Sequence, residues 1–161
     1  MQVLGFNQGY LIRHLNSPTF STNFIVGPNQ LRHMEIRPTI TPMLSVNDGL
    51  AAIDFYLNAF GASETGRVDN NGKIIITEIS FGGTKFYLSD ESIENGNISP
   101  KKAKGTTIRL ELTVPDPDAF VNQAVACGAK VIFPVADQDY GYRQGRIEDP
   151  FGHQWVVGRP L

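Results

Sequence analysis

The chain repeats itself, and a repeat restricts the possible folds more tightly than any local propensity. "MLSVNDGLAAIDFYLNAFGA" (residues 43–62) and "ELTVPDPDAFVNQAVACGA" (111–129) share one plan: strand, Asp-containing cap, amphipathic helix, Gly-Ala. Leu44, Val46 and Asp48 return as Leu112, Val114 and Asp116, each 68 residues on. In the first copy Leu50, Ile53, Phe55, Tyr56, Leu57 and Phe60 form an apolar stripe at spacings of three and four; Phe120, Val121, Ala124 and Val125 do so in the second. Asp48 and Asp116 stand where a helix N-cap is expected, and Gly61 and Gly128 where a glycine ends the helix.

Beyond each helix the chain reads as strands. The first copy continues with "ETGRV", the turn "DNNGK", "IIITEISF", the turn "GG" and "KFYLSD"; Asn-Gly and Gly-Gly are hairpin signals. The second continues with "KVIFPV", a polar connection "ADQDYG", "YRQGRIE", the turn "DPFG" and "HQWVV". Gly83 and Gly152 occupy corresponding turns, and Phe86 corresponds to Trp155. Each module is therefore βαβββ, and the two together make one α+β domain. Module one spans residues 38–90, the charged, Gly- and Pro-containing linker 91–105, and module two 106–159.

Composition narrows the function classes. At 161 residues, with 41% hydrophobic and 19% charged residues, the chain is long enough for one domain with its own core, residues 34–161. No apolar run approaches the roughly 20 residues that span a bilayer. With 14 basic against 16 acidic residues and no basic stripe, nucleic acid is not an expected partner. The single Cys127, in a helical apolar run, reads as a buried inert thiol of a cytoplasmic protein. Residues 1–33 lack Asp and Glu and are rich in Asn, Ser and Thr. They read as an extension to the domain: a disordered tail, an upstream start, or an organellar presequence.

Paired βαβββ modules, the "AIDFY" and "NAFGA" helix and the closing "DPFGH" with Trp155 resemble the vicinal oxygen chelate superfamily of glyoxalase I, extradiol dioxygenases and bleomycin-resistance proteins. The segments "ITPMLSV", "GGTKFYLSDE" and "DQDYGYRQGRIEDPFGHQWVV" are similar to its PhnB-like branch, over about residues 38–159. The resemblance implies a curled mixed sheet with helices on its outer face, a small-molecule pocket in the funnel of the sheet, and a homodimer. It also implies where metal-using relatives hold a divalent cation: one position on the first and one on the last strand of each module. Here those positions are Thr41, Tyr87, Arg109 and Val156, and none is an ordinary ligand. The guanidinium of Arg109 would repel a cation. No metal cofactor is therefore expected.

Strand alternation in "IIITEISF" puts Ile75, Ile79 and Phe81 on the helix-covered face and Ile74, Ile76, Glu78 and Ser80 on the concave one. Glu78, a carboxylate on an apolar wall, is expected to pair with Arg109 or Arg143. The candidate pocket residues are Thr41, Met43, Glu78, Tyr87, Arg109, Glu111, Arg143 and Val156. Gly141 and Gly145 suggest a bulge beside a pocket lip bearing Tyr140 and Tyr142. His153 and Trp155 face the helix layer by the same alternation, with the histidine hydrogen-bonded at the turn, and Asp149 initiates an Asx-turn within reach of Arg143.

Three readings remain. One is a metal-independent protein that binds a small polar or aromatic molecule. Another is a metal-dependent lyase or isomerase of glyoxalase I type, or a dioxygenase relative, which would need a metal held by Glu78, Glu111 and further groups. The third is a structural or degenerate member without a ligand, whose funnel is filled by the side chains of Met43, Tyr87 and Arg109.

Overall fold

Both helices begin where their aspartates stand. In the computed structural model, which describes residues 38–161 and so leaves the N-terminal extension outside the described residues, Asp48 accepts from the Ala51 amide at 3.0 Å and Asp116 from the Ala119 amide at 2.9 Å. These bonds cap α1 (Gly49–Phe60) and α3 (Pro117–Ala126). Gly61 closes α1 at φ 65°, in the left-handed region that glycine enters without penalty. A short α2 (Pro100–Ala103) lies in the linker, capped by the buried Ser99, which donates in turn to Glu91.

The strands of module one are β1 (Met43–Val46), β2 (Ser63–Asn70), β3 (Lys73–Phe81) and β4 (Thr84–Asp90). Those of module two are β5 (Arg109–Thr113), β6 (Lys130–Gln138), β7 (Tyr142–Glu148) and β8 (Gln154–Pro160). Each set makes its own four-stranded sheet in the same order, β1-β4-β3-β2 and β5-β8-β7-β6, with the first pair parallel and the rest antiparallel. This is the expected α+β fold of two tandem βαβββ modules. The hairpin of β2 and β3 turns on Asn71 and Gly72 and that of β3 and β4 on Gly82 and Gly83, all at positive φ, as the Asn-Gly and Gly-Gly steps predict.

One face of each sheet is covered by a helix, and the two covered faces share a single core. At its centre lies Tyr56 of α1, whose ring meets Phe86 at 5.1 Å and Trp155 at 5.8 Å edge-on. The two residues that correspond in the repeat thus converge on one aromatic side chain, 5.6 Å apart. The helical stripes are narrower than the spacing predicts: Leu50 at the start of α1 and Val125 near the end of α3 remain exposed. Among the described residues no helix is long and apolar enough to cross a membrane.

Bulges redirect two stretches from the simple alternation. The register of β2 against β3 slips between Val68 and Asp69, leaving Ile75 as an extra residue. Ile74, expected on the concave face, is therefore 1% exposed against α1, where Gly49 leaves room for it, while Ile75 is turned out. In module two the "ADQ" expected in a connection continues β6 to Gln138, because a solvent-facing edge strand tolerates polar side chains.

Candidate functional site

The segment "IEDPFGHQW" is structural. Asp149, 2% exposed, accepts from the amides of Phe151 and His153 at 2.9 Å each through one oxygen. Its other oxygen accepts from the Tyr56 hydroxyl at 2.5 Å and the Trp155 indole at 2.9 Å. The Asx-turn is thus as expected, but its long-range partners are Tyr56 and Trp155 rather than Arg143. His153 is buried with Nε2 3.1 Å from the Ser45 carbonyl oxygen. A carbonyl only accepts, so the Nε2-protonated ring donates, joining module two to β1 of module one. Burial and the adjacent carboxylate push the Tyr56 hydroxyl well above its ordinary value.

The open faces of the two sheets are where the modules diverge. Register aligns Met43, Tyr87, Glu78 and Gly66 in one row across module one. The matching row of module two is Glu111, Val156, Arg146 and Phe133. Glu78 and Arg146 therefore occupy equivalent places with opposite charge. Glu78 does not pair with Arg109 or Arg143. Lys85, two residues before Tyr87 on the neighbouring strand, lies 2.8 Å from its Oε2, and the bulged Thr65 donates to Oε1 at 2.7 Å. These two bonds hold its carboxyl below the usual carboxylate range, and Lys85 contributes most.

Module two holds a cleft of about 490 Å³ in its open face. Arg109, Glu111 and Val156 line it as expected, and Arg146, Gln144 and Phe133 complete the wall. Tyr140, expected at a pocket lip, also lines the cleft, where its hydroxyl donates to Gln144 at 2.7 Å. Thr41, Met43, Glu78 and Tyr87 belong to module one and do not line it. Arg143, expected in the pocket, points instead to the opposite, helix-covered side, 2.6 Å from Asp118 of α3 and 2.8 Å from Asp137. Those hydrogen bonds raise its own pKa and hold the Asp118 carboxyl below the usual range. Arg146 takes the place given to Arg143, and alternation from the buried Ile147 would have found it.

The wall is shaped by the irregular pairing of β6 with β7, which slips on both sides of Phe133. Pro134 has no amide to give to the ladder, which an edge strand tolerates. At this point the strands approach so closely that a Cβ on Gly145 would sit 2.9 Å from the Val135 amide nitrogen. The result places the Phe133 ring centroid 4.9 Å from the Arg146 guanidinium carbon, a cation–π contact. Neither Arg109 nor Arg146 is within salt-bridge distance of a carboxylate among the described residues, and the buried Nε of Arg146 has no acceptor.

The positions that would hold a divalent metal do not suit one. Thr41, Tyr87, Arg109 and Val156 supply no imidazole and no carboxylate, and Glu111, the nearest carboxylate, shares its cleft with two guanidiniums. Among the described residues no three His, Cys, Asp or Glu side chains come together.

Comparison with known proteins agrees with the architecture. A family model described as the Glyoxalase/Bleomycin resistance protein/Dioxygenase superfamily matches residues 17–157. An uncharacterised protein of Mycobacterium bovis is 37% identical over 132 residues, covering 80% of this chain and 87% of its own length. The crystal structure of an Arabidopsis thaliana gene product superposes with a TM-score of 0.63 at 28% identity, over 77% of this chain and all of that one. A structure described as a glyoxalase/bleomycin resistance protein/dioxygenase family enzyme, from Burkholderia phytofirmans, superposes with a TM-score of 0.58 over 74% of this chain and 95% of that one. At 19% identity it bears on the fold alone.

Proposed function

The chain belongs to the Glyoxalase/Bleomycin resistance protein/Dioxygenase superfamily, and from that premise we propose that it is a metal-independent, PhnB-like member that binds a small polar or aromatic molecule in the open face of module two. One observation carries the reading: the cleft of about 490 Å³ joins two guanidiniums, which have no carboxylate within salt-bridge distance among the described residues, to the side chains of Phe133, Pro134 and Val156. A volume of this size suits a small molecule, and a lining of charged and polar side chains beside a smaller apolar part suits one that carries a polar group. Metal independence is supported by the donor set, since the cleft offers a divalent cation one carboxylate and two repelling charges.

The protein acts as a homodimer in this reading. Its support is the apolar surface left on the open faces and strand ends, where Met43, Ile108 and Phe133 are each more than half exposed. The half-buried single thiol, Cys127, suits a cytoplasmic location.

Elemental analysis of the purified protein tests the metal side: nickel, zinc, iron and manganese are expected far below one per chain, and a stoichiometric metal overturns that part. Thermal melting across a panel of small aromatic and polar compounds tests binding. Some member is expected to raise the melting temperature, with a rise that grows as the logarithm of its concentration over Kd, and a flat response across the panel overturns it. Sedimentation at twice 17.7 kDa is expected for the dimer, and at that mass itself for its failure.

A further inference from the structure

We infer that the ligand of the module-two cleft is a planar organic monoanion, an aromatic carboxylate, held by Arg146 and Arg109 with its ring against the apolar wall. The inference rests on the binding reading above and adds the ligand's charge and shape.

Charge is set by the ionised groups of the cleft. Among the described residues two guanidiniums and one carboxylate, Glu111, line it, which leaves one positive charge over. Glu148 stands on the same open face two residues beyond Arg146 but does not line the cleft. One excess cation complements one negative charge. A dianion such as a phosphate monoester would bring its second charge beside Glu111. A cationic ligand would meet two guanidiniums. Module one, with Glu78 satisfied by Lys85, offers no comparable excess.

Shape is set by Arg146. Its Nε is buried and makes no hydrogen bond, and the described residues provide no acceptor for the rest of the guanidinium either. A guanidinium seated against the Phe133 ring and lining the cleft can offer its terminal nitrogens for the two-point bond that a carboxylate accepts. Beside it Val156, Phe133 and Pro134 give an apolar surface. Arg109 stands two residues from Glu111 along β5, on the same face. At the rim Gln144 and the Tyr140 hydroxyl, bonded to each other at 2.7 Å, provide neutral polar groups for a ring substituent.

Amide-resolved NMR titration of the full chain with benzoate, benzamide and benzylammonium tests this. Benzoate is expected to shift the amides around Gln144, Gly145 and Arg146 and to bind at least about tenfold more tightly than the other two, the difference expected for a charge-assisted bidentate contact. Arg146→Gln is expected to weaken benzoate about tenfold or more while changing benzamide by less than about threefold. Arg109→Gln, at an exposed position, serves as a second variant with the same direction. Benzamide or benzylammonium binding the cleft as tightly as benzoate overturns the inference and leaves the binding reading standing. No shift around Gly145 with any of the three probes overturns both.

Discussion

Modules one and two share strand order, register, N-caps and a helix on one face, yet their open faces differ in chemistry. In module one the charged residue at the centre of the sheet, Glu78, is neutralised by Lys85 on the next strand. In module two the equivalent residue, Arg146, has an aromatic ring and a valine as its neighbours in the row, and no carboxylate among the described residues lies within salt-bridge distance of it. The closing turns differ in the same way. Gly82 and Gly83 close module one with a single side-chain bond, from the Thr84 hydroxyl to the Phe81 carbonyl at 2.9 Å, whereas Asp149 closes module two with a carboxylate that four donors hold. A repeated topology therefore fixes where side chains stand, and the unrepeated residues decide what each copy does.

The turns give the largest expected contrast. Asp149→Ala leaves four buried donors without their acceptor, Tyr56 and Trp155 among them, and should cost about 3–5 kcal/mol in denaturant unfolding. Gly83→Ala places a Cβ at φ 82° in open space, so it should cost only about 1 kcal/mol from backbone strain. Equal losses at the two positions would break the distinction between a turn that anchors the core and one that does not.

Next in size is the link from α1 to that turn. Tyr56→Phe removes one donor from Asp149 and should cost about 1–3 kcal/mol. It also changes the alkaline limb. The hydroxyl's pKa is raised in the folded state, so up to about pH 10 the unfolded tyrosine is neutral too and there is no differential. Above about pH 10 the unfolded chain ionises first and stability falls. The wild type should lose stability there more steeply than Tyr56→Phe, and parallel alkaline limbs would contradict the buried bond.

The smallest effects belong to the surface of module one. Glu64 and Glu78 are held below the usual carboxylate range chiefly by Arg67 and Lys85 respectively. Their contribution is present at neutral pH and is lost as pH falls below about 4.5, through their lowered folded-state values. Lys85→Gln should lower the neutral-pH midpoint only slightly and flatten the acid limb by the same small amount. A large drop at neutral pH would mean that the Glu78 pair organises module one as Asp149 organises module two.

Much of this was legible in the repeat. Leu44 and Leu112, Asp48 and Asp116, and Phe86 and Trp155 mark the strands, caps and core contacts in order, and alternation placed His153 and Trp155 toward the core. The site was less legible for a physical reason: side-chain direction depends on parity counted from a fixed residue, and bulges reset the count. One extra residue at Ile75 reversed Ile74, and in β7 the choice between Arg143 and Arg146 turns on whether the count starts from Ile147. The pairing of Glu78 was missed because Lys85 lies on a neighbouring strand, a contact that register alone decides.

The most direct test of the central claim, that module two carries the binding face, is a crystal structure of the chain grown with benzoate. A carboxylate on the Arg146 and Arg109 guanidiniums with its ring over Val156 is the expected result. Ligand seated instead on the sheet of module one, over Tyr87 and Glu78, would contradict it.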